Sequence, residues 1–176
     1  MSTKLPPIQP VSSPVLLALH GMPLLRLGFR PFYIGAAVLA ASIVPLWVAI
    51  YLGGITWLPT PVPLLWHAHE MLFGFAIAVI VGFLMTAGKA WTGLPTPRGP
   101  ALGALVLLWL AARVAALVAP YPVFAVLDLA LLPTVGVIFL RLLLRSRNMR
   151  NVPLAVILLL LSAVNQIEDP STGDVR

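Results

Sequence analysis

The sequence predicts an all-α fold: a polytopic transmembrane helix bundle with four full spans and a partial fifth. Three observations carry this reading. Hydrophobic residues make up 60% of the 176 and charged residues only 9%. With a mean hydropathy of +1.02, this lies outside the range of soluble globular domains. The apolar residues gather into four runs of about 20, the length that crosses a hydrocarbon core of about 30 Å. Glycine, proline and basic residues collect in the breaks between the runs, where loops and membrane flanks belong.

The elements follow in chain order. Residues 1–31 are expected to form a disordered and interfacial cytoplasmic N-terminus. Residues 1–14 are rich in Pro and Ser and lack a signal-peptide pattern. Residues 15–30 are apolar and basic, broken at Gly21-Met22-Pro23, and should lie along the membrane surface with Arg26 and Arg30 at the head groups. The first span covers 32–52 and carries Pro45, a kink signal. An uncharged Gly/Pro-rich loop with Trp57 leads to the second span, 65–88. A polar turn follows, whose Trp91 suits the interface. The third span, 101–119, contains Arg113, and Ala119-Pro120-Tyr121-Pro122 makes a tight turn. The fourth, 123–144, contains Asp128 and Pro133. The apolar stretch 153–164 rises only about 18 Å at 1.5 Å per residue, short of the core thickness. The chain then becomes a polar tail over 165–176, and two readings stand: a truncated or frame-shifted sequence, or a short surface or re-entrant fifth segment.

Charge sets the orientation. The net charge is +6, and the basic residues sit in membrane-flanking segments. They therefore speak for topology and against a nucleic-acid partner. Lys4, Arg26 and Arg30 precede the first span. Lys89 and Arg98 lie between the second and third, and Arg141, Arg145, Arg147 and Arg150 flank the end of the fourth. The two loops on the other side carry no Lys or Arg. The N-terminus is expected in the cytoplasm.

Function points to the head of the second span, His67-Ala68-His69-Glu70-Met71. On this topology it lies at the outer end of the bundle. Helical periodicity places His67, Glu70, Met71, Gly74, Ala78, Gly82 and Thr86 on one face, a small-residue seam that a neighbouring helix can approach. His69 falls about 200° round from His67, so one regular helix cannot aim both at one metal. His67 should point into the bundle and His69 elsewhere, unless the helix starts late. Two readings stand for the pair: interfacial histidines that are solvated or bonded to backbone, or ligands of a metal or haem. In the second, Glu70 would orient His67 or join the site. Met71 and Met85 are expected to pack, and His20 lies too far away to share the site.

The chain contains no cysteine. Disulfides, thiolate-ligated zinc or iron–sulfur sites and covalent c-type haem attachment are thereby excluded. Arg113 and Asp128 are equidistant from the turn between Pro120 and Tyr121, which predicts an ion pair at one depth of an antiparallel hairpin. That pair either fixes the hairpin register or lets Arg113 face an anionic group such as a haem propionate.

Several blocks, in order, resemble the NnrS family. They are Arg26-Leu27-Gly28-Phe29-Arg30-Pro31-Phe32, Trp66-His67-Ala68-His69-Glu70-Met71-Leu72-Phe73-Gly74-Phe75, Trp91-Thr92-Gly93, Leu107-Leu108-Trp109-Leu110-Ala111-Ala112-Arg113, Asp128-Leu129-Ala130-Leu131-Leu132-Pro133 and Arg150-Asn151-Val152-Pro153. The resemblance implies a bacterial inner-membrane protein that binds haem and copper and is linked to nitric oxide stress and denitrification. Family members are about twice this length, and this chain leaves the pattern after Asn165. It is read as an N-terminal half, whose site a missing C-terminal half or another subunit would complete. The cofactor-binding candidates are His67, His69, Glu70, Arg113 and Asp128, with His67 and His69 as metal ligands. The alternatives are a membrane transporter and a metal-free assembly factor for a respiratory complex.

Overall fold

A computed structural model describes residues 23–55 and 63–164. Residues 1–22, 56–62 and 165–176 lie outside the described residues, and with them the expected disordered N-terminus, Lys4, His20, Trp57 and the polar tail.

The described chain is helical almost throughout. A short 3-10 turn, Pro23–Arg26, leads into α1, Phe29–Tyr51. The second long helix, α2, runs through three stretches: an α-helical start at Pro63–His69, a π-helical segment at Glu70–Ala76 and an α-helical remainder at Ile77–Thr92. Helix α3 spans Pro100–Val118 and α4 spans Tyr121–Arg145. A 3-10 turn at Met149–Asn151 precedes α5, Val152–Val164. Four of these helices are long and apolar enough to cross a membrane, and α5 is the shorter apolar helix.

The helix ends differ from those of the expected spans by up to four residues, and the first and third helices stop one residue short of theirs, at Tyr51 and Val118. The largest difference is at the end of α2, which continues to Thr92 and so holds Lys89 in its last turn. The stop at Trp91-Thr92-Gly93 has a local cause. Gly93 takes a left-handed φ of 68° and its N–H returns to the Lys89 carbonyl, the usual glycine helix stop. The Thr92 hydroxyl donates to the Gly88 carbonyl and accepts from the Leu94 N–H. At helix N-termini, Pro100 opens α3 and Pro122 lies in the first turn of α4, where a missing N–H costs nothing.

Helix α2 is the central element. Its most hydrophobic stretch is 56% buried, against 17–33% in the other three long helices. It packs against both α1 and α4. Phe32 and Ala36 of α1, Ala78, Val81 and Met85 of α2, Leu102 and Trp109 of α3, and Leu132, Val135 and Phe139 of α4 form one core. Ala155 and Leu158 of α5 join it, so the short fifth helix lies along α4 as part of the bundle. In lipid such a core is held by close packing and hydrogen bonds, since the surrounding tails are as apolar as the side chains.

The predicted small-residue seam is present only in part. Ala78 and Gly82 are buried, with Gly82 against Tyr33 and Phe32 of α1. Thr86 is exposed. An i, i+4 series drifts about 40° per step round an α-helix, so by Thr86 the stripe has wound off the α1 contact.

Candidate functional site

Four ionisable side chains meet inside the bundle, at the end away from Lys89 and Arg98. Helix α3 supplies Arg113, whose two terminal nitrogens go to different carboxylates. Nη1 donates to Glu70 Oε2 of α2 at 2.8 Å, and Nη2 pairs with Asp128 Oδ1 of α4. The other Asp128 oxygen, Oδ2, lies 3.1 Å from His69 Nε2 of α2. Glu70, Arg113 and Asp128 are 1%, 6% and 7% exposed, so these charges are held by each other and not by solvent. With His69 neutral the four groups sum to one negative charge; with His69 protonated they sum to zero. His69 is seated between Phe73, 5.0 Å away in a stacked arrangement, and Phe124, 5.5 Å away edge-on.

The π-helical segment shapes the place where this network forms. It begins at Glu70, and its i→i+5 turn changes the phase of α2 from that residue on. Gly74 lies in the same segment. A Cβ there would come within 2.9 Å of Arg113 Nη1, Glu70 Oε2 and Leu39 Cδ2. The missing side chain is therefore the space through which Arg113 reaches Glu70. The Trp109 indole, one turn before Arg113 on α3, donates to the Gly74 carbonyl at 3.0 Å. That bond satisfies a backbone oxygen where the helix geometry is irregular.

The histidines divide between two sides of α2. His67 stacks on Trp47 of α1, with ring centroids 4.4 Å apart and planes 19° apart. His69 faces α4 and Asp128. The angular separation expected from helix periodicity holds, but its consequence differs. His69 does point into the bundle, because α2 has protein on both flanks. Glu70 does not orient His67: its bonded oxygen is on Arg113. The expected Arg113–Asp128 pair is present, extended at one end by Glu70 and at the other by His69.

Several buried polar atoms in this region have no hydrogen-bond partner among the described residues: His67 Nδ1, Glu70 Oε1, Arg113 Nε, and the indole nitrogens of Trp47 and Trp66. Among the described residues no group of three His, Cys, Asp or Glu is placed to hold a metal ion. Sequence reasoning missed Trp47, Trp109, Phe124 and the role of Gly74. Two faint signals were there: Gly74 is one turn from Glu70, and Trp109 one turn from Arg113.

The profile of the NnrS protein family matches residues 23–168. No curated protein and no solved structure matches the chain. The matched region contains all four members of the buried network and His67.

Proposed function

The chain belongs to the NnrS family and has four helices fit to span a membrane, and from that premise we propose that it binds haem and copper in the response to nitric oxide. In this reading it resides in a bacterial inner membrane with a cytoplasmic N-terminus. Apart from Arg113, the described cations Arg26, Arg30, Lys89, Arg98, Arg141, Arg145, Arg147 and Arg150 all belong to one end of the bundle. The positive-inside rule assigns that end to the cytoplasm, and His67 and His69 to the outer side.

The observation that carries the cofactor reading is the buried His67 Nδ1, which has no hydrogen-bond partner among the described residues. Leaving such an atom unbonded costs about 1–3 kcal/mol, a cost that a coordinate bond removes. Imidazole suits both copper and haem iron. His69 fits a second pattern, since a ligating imidazole commonly has one ring nitrogen tied to a carboxylate, as Asp128 ties His69. The two rings pack against different helices, so each would supply a ligand to a separate bond. The remaining ligands would come from another subunit or a C-terminal half. Arg113 already serves two carboxylates, and its part is to fix Asp128, and through it the His69 ring. A bound haem or copper would supply a metal centre that can take nitric oxide as a ligand.

Absorption spectra and metal content of the purified chain test this. Wild type is expected to carry substoichiometric haem or copper, and His67→Ala or His69→Ala to lose it. Asp128→Asn should weaken binding about 10–100-fold without abolishing it. Unchanged spectra and copper content in both histidine variants would reduce the pair to a packing role. A wild-type chain free of haem and copper would favour a transporter or a metal-free assembly factor.

A further inference from the structure

At the end of the bundle opposite the histidines, the structure has a cavity of about 380 Å³, between the start of α1, the last turns of α2 and the loop into α3. Leu27, Phe29, Met85 and Ala90 give it apolar walls, and Thr86, Lys89, Thr96 and Arg98 give it polar ones. We propose that this cavity holds the phosphate headgroup of an anionic phospholipid, with Lys89 and Arg98 as its counter-charges.

Three observations lead there. First, neither cation has an ion-pair partner among the described residues. Both described carboxylates, Glu70 and Asp128, are engaged by Arg113 within the bundle. Two positive charges at one cavity, with no anion among the described residues to pair them, make a site that a phosphate completes. Second, Thr96 is only 7% exposed, lines the cavity, and its hydroxyl makes no hydrogen bond among the described residues. The hydroxyl of a nearly buried residue in the cavity lining is a donor that an acceptor oxygen would satisfy. The N-terminus of α1 reaches the same wall at Gly28 and Phe29 and has no side-chain cap, so its partial positive charge adds to the site. Third, the placement suits a lipid. Lys89 stands in the last turn of a helix long enough to span, with Trp91 exposed two residues on, where the head groups lie. Leu27, Phe29 and Met85 also give the cavity apolar walls, which a free anion would not use. The proposal does not depend on haem or copper.

Native mass spectrometry of the purified full chain, titrated with phosphatidylglycerol or phosphatidylcholine, tests it. Each basic contact with an anionic headgroup contributes about fivefold in affinity, so wild type should prefer phosphatidylglycerol by about 25-fold for one bound lipid. Lys89→Gln/Arg98→Gln should bring that preference close to unity, and Thr96→Val should lower it. Arg145→Gln/Arg147→Gln, at the end of α4 and in the turn after it, should leave it unchanged; all these cations are exposed, so the fold is retained. A preference that survives Lys89→Gln/Arg98→Gln, or falls equally in both double variants, overturns the site. A wild type without headgroup preference also overturns it. Displacement of the lipid by millimolar inorganic phosphate would reassign the cavity to a free anion and overturn the lipid.

Discussion

Arg113 is the residue on which the interior charges depend. It serves Glu70 and Asp128 at once, and Asp128 in turn serves His69. Removing one partner of a buried ion pair costs about 3–5 kcal/mol, because the remaining charge is left uncompensated. Arg113→Leu takes the arginine from both carboxylates, leaving Asp128 to His69. Asp128→Leu leaves Arg113 still paired with Glu70. Arg113→Leu should therefore be the more damaging, by a clear margin in thermal unfolding of the detergent-solubilised protein. Arg113→Leu/Asp128→Leu should recover only part of the loss, since Glu70 remains alone. Adding Glu70→Gln should recover more. If Arg113→Leu and Asp128→Leu prove equally costly, Glu70 contributes nothing to holding the arginine.

At the scale of the element, α2 carries both the local irregularity and the site. The Arg113–Asp128 pair was legible in the sequence because a tight Pro-rich turn fixes the register of α3 against α4, and register is a matter of counting. The Glu70–Arg113 bond was not legible. It depends on a π-helical segment, which leaves no periodic signature, and on a glycine whose value lies in what it makes room for. Likewise the 200° between His67 and His69 could be read, but not that α1 and α4 flank α2 on both sides. Gly74→Ala tests the element. Its Cβ would press on Arg113 Nη1, Glu70 Oε2 and Leu39 Cδ2, each 2.9 Å away, an overpacking worth about 1–3 kcal/mol. Gly93→Ala meets no atom within 4 Å, so its cost is the left-handed φ alone, about 1–2 kcal/mol. Gly74→Ala should in addition disturb the buried network, so it alone should lower the energy of coupling between Glu70 and Arg113 in a double-mutant cycle.

At the scale of the whole molecule, the sequence revealed the helix count because four apolar runs each match the bilayer thickness, a constraint imposed from outside the chain. Where α5 lies was less legible. Thirteen residues do not cross a core by themselves, yet Ala155 and Leu158 are buried against the bundle. The proposed orientation rests on the one-sided cations, and the cysteine-free chain makes it directly measurable. A single cysteine introduced at Gly54, after α1, and another at Met149, after α4, stand at opposite ends of the bundle, and both positions are exposed. In intact spheroplasts a membrane-impermeant maleimide should label Gly54→Cys at once and Met149→Cys only after permeabilisation. The reverse pattern would put the cations outside and His67 and His69 toward the cytoplasm. The phospholipid cavity would then face the outer leaflet, and an outer-side haem or copper centre would be untenable. Labelling of both positions in intact spheroplasts would mean that α2, α3 and α4 do not cross the membrane as a unit. The buried Arg113 network would then have formed outside hydrocarbon, where the charge-pairing argument for it is weakest.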